Sequence, residues 1–135
     1  MFTFSTNIRV RYAETDQMGY VYYGNYATYY EVARVEMLRS LDFSYKSLEA
    51  SGVMMPVLEL KCKYIRPAKY DDMLSINVKI EQKPTTRMIF QYEIYNEEKT
   101  LLNIGETTLV FIDMKTGKVC EMPPVMQELL NKYFE

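Results

Sequence analysis

Histidine is absent from all 135 residues of this chain. That absence removes the Ser-His-Asp and Cys-His nucleophilic mechanisms, and with them the commonest metal ligand. Acid–base chemistry near neutral pH then rests on carboxylates, tyrosines, lysines, cysteines or backbone amides. Cysteine is scarce as well: Cys62 and Cys120 are the only two, expected as reduced thiols in a cytoplasmic protein. No apolar run reaches the roughly 20 residues that cross a bilayer. Met1 to Thr6 lacks the basic and apolar regions of a signal peptide. Sixteen basic and 18 acidic residues leave a net charge of −2, which argues against a broad nucleic-acid-binding surface but leaves room for a local basic patch. There is no internal repeat, low-complexity segment or linker.

What is present is an ordinary globular balance, 48% apolar and 25% charged, of a length that suits one domain over residues 1–135. Thr6 to Ala13 alternates, with Ile8, Val10 and Tyr12 on one side and Asn7, Arg9 and Arg11 on the other, as in a strand with one buried face. Glu14 to Gly19 reads as a polar loop. From Asn25 to Leu41 the spacing changes: Tyr26, Tyr29, Tyr30, Ala33, Met37 and Leu41 recur at helical intervals, and Val32, Val35 and Leu38 add apolar surface off that stripe. A short helix is expected over Tyr45 to Ser51, ended by Gly52. Strands follow at Val57 to Ile65 (Leu58, Leu60, Cys62 and Tyr64 sharing a face), Met73 to Glu81, Arg87 to Tyr95 and Leu101 to Asp113. Pro123-Pro124 opens a terminal helix.

Short connections between these strands favour antiparallel pairing. One long helix and one sheet then give an α+β domain with the sheet packed on the helix. A single sheet leaves edges, and edges are often covered by self-association, so a homo-oligomer is expected.

The most informative segment runs from Arg11 to Tyr26, with Asp16, Gly19, Tyr22-Tyr23 and Asn25-Tyr26 at its key positions. It resembles the signature of the 4-hydroxybenzoyl-coenzyme A thioesterase family, including the small Tol-Pal-associated acyl-coenzyme A thioesterases. A second stretch, Tyr64 to Asp72, is similar to that family's strand-to-strand turn. The resemblance implies a hotdog fold, a curved antiparallel sheet around a central helix, paired into dimers and often tetramers. It also implies hydrolysis of acyl-coenzyme A to free acid and coenzyme A, with coenzyme A entering as part of the substrate and no metal or redox cofactor.

Thioester hydrolysis needs a donor for the carbonyl oxygen and attack on the carbonyl carbon. A helix start offers unpaired N–H groups and a partial positive charge. By resemblance, the amide of Tyr23, helped by that of its neighbour Gly24, polarises the carbonyl, and Asp16 is the catalytic carboxylate. Two roles are open to Asp16: direct attack forming a mixed anhydride, or general base for water. Both need an ionised carboxylate, which a free aspartate already is at neutral pH. Taken alone, an Asp in such a loop is more often a turn residue; the surrounding motif reverses those odds. The Tol-Pal branch usually has His at the position of Tyr23, so a His-dependent mechanism is closed to this chain.

Gly19 is expected to give a substrate close approach. Tyr22 and Tyr26 are candidates for the acyl pocket, within a tyrosine cluster expected mainly to pack core and interface. Arg66, Lys83 and Arg87 are candidates for coenzyme A phosphates, Lys83 and Arg87 ahead of Arg66. Glu31 and Arg34 are placed for a helix-surface ion pair, and Cys62 is expected to face inward. The competing functions are an acyl-acyl-carrier-protein thioesterase and a binding protein without turnover. A hotdog dehydratase is disfavoured by the missing histidine.

Overall fold

The computed structural model describes residues 1–135. Strand β1 (Phe2–Arg9) turns Phe2, Phe4, Thr6 and Ile8 inward and Thr3, Ser5, Asn7 and Arg9 outward. The expected alternation is real but begins earlier in the chain than Thr6 and ends earlier than Ala13. The chain leaves the sheet after Arg9, and a turn of 3-10 helix forms over Tyr12–Glu14. Tyr12, expected on the buried face, is instead 79% exposed.

The central helix α1 (Tyr26–Ser40) follows a second 3-10 turn, Tyr23–Asn25. Helix α2 (Tyr45–Ala50) starts where the Ser44 hydroxyl accepts the Ser47 N–H. Beyond the short β2 (Val53–Met54) come β3 (Val57–Tyr64), β4 (Met73–Ile80), β5 (Arg87–Tyr95) and β6 (Leu101–Val110). The strand expected to reach Asp113 breaks after Val110, and β7 (Ile112–Asp113) pairs with β2 in a separate ribbon. Helix α3 (Pro124–Asn131) begins with proline at its first position, where a missing N–H costs nothing.

The five long strands form one antiparallel sheet in the order β1-β4-β5-β6-β3. Its inner face and α1 enclose the core, which includes Ala33, Met37, Leu74, Ile76, Phe90 and Leu109. The registers define two ends. Met73, Tyr95, Leu101 and Tyr64 lie at one, and Ile80, Arg87, Val110 and Val57 at the other. An eight-residue strand separates them by about 25 Å.

Helix α1 carries polar groups into this core. The Tyr30 hydroxyl donates to Asn103 Oδ1 and lies 3.3 Å from Cys62 Sγ, while its ring stacks on Tyr92 at 4.3 Å between centroids. Arg34, expected to pair with Glu31 on the surface, is 6% exposed. It donates to the hydroxyls of Tyr45 (3.3 Å) and Tyr92 (3.2 Å), and Glu31 stays in solvent. The physical reason is that Arg34 continues the inward row Tyr26, Tyr30 at four-residue spacing. Cys62 packs inward but remains half-buried.

Strand β3 is an edge, and its Leu58, at a register irregularity, and Leu60 are 54% and 47% exposed. The expectation of a buried face on this strand is met by orientation and not by coverage within one chain.

Gly105 lies directly under the Tyr30 ring, and a Cβ there would sit 2.2 Å from Tyr30 Cζ. Both partners are held on regular elements, so neither yields easily. Gly105→Ala should therefore cost about 2–3 kcal/mol of stability through overpacking, measured by urea unfolding.

Candidate active site

The loop between the two 3-10 turns folds back on itself. Asp16 N–H donates to Tyr20 O (2.8 Å), and Thr15 bridges Val21. Gly19 makes the reversal at φ +78°, a conformation other residues resist. A Cβ at Gly19 would meet no atom of the chain within 4 Å, so within the chain it is the backbone conformation that calls for glycine here. The loop is stitched to the β3–β4 turn through Val21 N to Ala68 O (2.8 Å), Tyr70 N to Gly19 O (3.2 Å) and the Tyr20–Lys69 bridge.

Asp16 is half-buried at the centre of this loop. Its Oδ1 accepts the Met18 N–H (2.9 Å) and the Tyr20 N–H (3.2 Å), and no donor in the chain meets Oδ2. The turn is thus held by one oxygen of the carboxylate, and the other is left without a partner in the chain.

Tyr23 and Gly24 open the approach to α1, as expected, and both are exposed. Tyr22 N–H goes to Glu14 O and Asn25 N–H to Tyr22 O, whereas the N–H groups of Tyr23 and Gly24 find no acceptor in the chain. A Cβ on Gly24 would come 2.9 Å from the Tyr22 ring, so glycine lets the chain pass under that side chain. The rings of Tyr22 and Tyr23 touch (4.7 Å), and Tyr64 stands edge-on to both Tyr23 (6.4 Å) and Tyr26 (5.3 Å). The Tyr64 hydroxyl donates to Tyr23 O at 3.2 Å.

Of the expected site residues, the chain gathers Asp16, Gly19, Tyr22, Tyr23 and Gly24 at one end of the sheet, with Arg66 in the adjoining β3–β4 turn. Tyr26 is 3% exposed, and its hydroxyl accepts the Ala68 N–H at 3.4 Å; helical periodicity turns it into the core rather than onto the surface of the site. Lys83 and Arg87 stand apart from these residues within one chain. They line a small hollow with Thr85 and Ile89 at the far end of the sheet, a strand length from Asp16 within one chain.

Glu14 is the residue the sequence reading passed over as polar loop. It is 9% exposed. Its Oε1 accepts the Arg11 N–H (2.9 Å) and the Tyr29 hydroxyl (3.0 Å), and its Oε2 accepts Arg11 Nη2 (2.7 Å) and Nε (3.2 Å). The Arg11-x-x-Glu14 spacing was the available signal, since a carboxylate three residues on can cap a turn's first N–H. Burial alone pushes the Glu14 carboxyl up; the hydrogen bonds from Arg11 and Tyr29 outweigh it and hold the group below the usual glutamate value of 4.5.

A model of the thioesterase-like superfamily matches residues 10–130. The chain belongs to that superfamily. It is 41% identical over 116 residues to the acyl-CoA thioester hydrolase YbgC of Escherichia coli, covering 86% of this chain and 87% of that protein. Among solved structures, a DHNA-CoA thioesterase from Staphylococcus aureus superposes with a TM-score of 0.92 at 36% identity, over 98% of this chain and 91% of that one. The 1,4-dihydroxy-2-naphthoyl-CoA thioesterase Slr0204 from Synechocystis gives a TM-score of 0.90 at 26% identity, over 99% of each chain. The fold is the hotdog fold of these thioesterases.

A carboxyl with a lowered folded-state pKa stabilises fully above its unfolded value, and that stabilisation disappears as pH falls through the folded value. Glu14→Gln should therefore lower the unfolding free energy by about 2 kcal/mol at neutral pH. The gap from the unaltered protein should close on acidification below the usual glutamate value, checked by urea unfolding across pH.

Proposed function

We propose that this protein hydrolyses acyl-coenzyme A thioesters, with Asp16 as the catalytic carboxylate. The observation that carries the reading is the pairing of two unfilled groups at one end of the sheet: the open Oδ2 of Asp16, and the unpaired amides of Tyr23 and Gly24 at the start of α1.

The chemistry follows from those groups. The two amides receive the thioester carbonyl oxygen and favour the negative charge that grows on it, aided by the positive end of α1. Asp16 Oδ2 either attacks the carbonyl carbon or takes the proton from an attacking water. Collapse of the tetrahedral centre expels the coenzyme A thiolate. In the first route water then cleaves the anhydride and frees Asp16; in the second the free acid leaves directly. Coenzyme A takes part only as substrate, and the reading calls on no resident cofactor. The two unbridged cysteines suit a reducing, cytoplasmic setting.

The same reading includes a homo-oligomer built on β3. Val57, Leu58, Leu60 and Tyr64 leave an apolar open edge, which a second copy would cover. A two-fold pair runs its β3 edges antiparallel. The Lys83–Arg87 end of one chain then lies on the same side as the Tyr64 end of the other, roughly 14 Å away across three strand spacings. That pairing restores Lys83 and Arg87 as coenzyme A ligands, supplied by the partner, alongside Arg66.

Thiol release from a panel of short-chain, long-chain and aromatic acyl-coenzyme A substrates tests the function. Saturable turnover is expected, and Asp16→Asn should reduce kcat by about 10²–10⁴-fold; a folded protein inactive on the whole panel refutes the proposal. Arg87→Ala should raise KM with kcat little changed, and unaltered kinetics would remove Arg87 from the site.

A further inference from the structure

Every acceptor position of Glu14 is filled, three of them across the join between the Asp16 loop and α1, and the proposed chemistry leaves it unused. Two of its links come from the start of the helix to its main-chain oxygen: Asn25 Nδ2 at 2.8 Å and the Tyr22 N–H at 2.9 Å. A third comes from one turn further along, where the Tyr29 hydroxyl donates to Oε1 at 3.0 Å. Arg11 fills the remaining carboxylate positions from the strand side. Asp16 lies two residues on, and the Thr15–Val21 bridge and the Asp16 N–H to Tyr20 O bond remove its freedom to move independently.

We infer that Glu14 is the positioning residue of this site: through Tyr29 and Asn25 it fixes the Asp16 carboxylate relative to the amides that open α1. The inference rests on the thioesterase reading above. Asp16 and the two amides sit on different segments, a loop and a helix start, tied to each other through the bonds that Glu14 accepts. Their spacing is a property of the join, and the join has one buried carboxylate at its centre. A displacement of about 1 Å at a reacting group can cost on the order of 10²-fold in rate. Glu14 touches neither substrate nor reacting atoms in this scheme, so its effect is on kcat through geometry.

Tyr29→Phe is the sharpest probe. It removes one hydroxyl from the Glu14 lock and keeps the buried ring. Thiol release with the best substrate of the panel should show kcat reduced by about tenfold to a hundredfold, KM within about twofold and a thermal midpoint lowered by only a few degrees, as the loss of one buried hydrogen bond predicts. Glu14→Gln should reduce kcat at least as much; if it does not fold, Tyr29→Phe carries the test. In an Asp16→Asn background the Tyr29→Phe change should have no further effect, because the group being positioned is gone. Wild-type kcat in Tyr29→Phe overturns the inference, as does an equal loss in both backgrounds, which would mark general disruption. Full activity in Asp16→Asn overturns the catalytic reading itself, and this inference with it.

Discussion

Helix α1 brings hydroxyls and a guanidinium into the core of a small domain, and each must be satisfied there. A buried polar group without a partner costs on the order of 1–3 kcal/mol, so the helix is free neither to rotate nor to slide against the sheet. Tyr29 finds Glu14, Tyr30 finds Asn103, and Arg34 finds Tyr92, which in turn meets Thr107 at 2.6 Å. Apolar packing alone tolerates small shifts of a helix. A row of directional bonds at successive turns does not, and the position of the helix start inherits that precision.

The site depends on this row. The amides of Tyr23 and Gly24 are free to receive a carbonyl oxygen because the chain folds no acceptor onto them. Asp16 is available only because its two oxygens divide the work: one closes the loop, the other stays open. Both conditions are local in sequence yet are met on different segments, a loop and a helix start. Glu14 holds them together from beneath, and the ionised form of its carboxyl is the one that accepts four hydrogen bonds.

The open edge at β3 has the opposite character. Its inward face is apolar, yet α1 does not cover it, and the strand ends beside the helix start. In the proposed reading this surface ties activity to assembly, because Lys83 and Arg87 sit at the far end of the same chain. Tyr64 marks the junction, lying on the edge strand while bonding to the carbonyl of Tyr23.

Sequence by itself determined the elements and the identity of the reactive loop. Alternation in β4 and β5, helical spacing in α1 and the Asp16-to-Tyr26 motif are local patterns, and local patterns survive without knowledge of the fold. It also determined what chemistry is closed, since a missing histidine needs no structure to interpret. Tertiary structure decided the rest. Arg34 looked like a surface ion-pair partner because i,i+3 spacing says nothing about which face is buried. Tyr26 looked like a pocket residue because proximity in sequence to Asp16 does not specify direction. Lys83 and Arg87 were separated from Asp16 by strand order, which no short-range pattern encodes. The bond from Glu14 to the helix was hidden for the same reason: its partner Tyr29 lies across the loop, and only the folded chain brings a helix hydroxyl to a loop carboxylate.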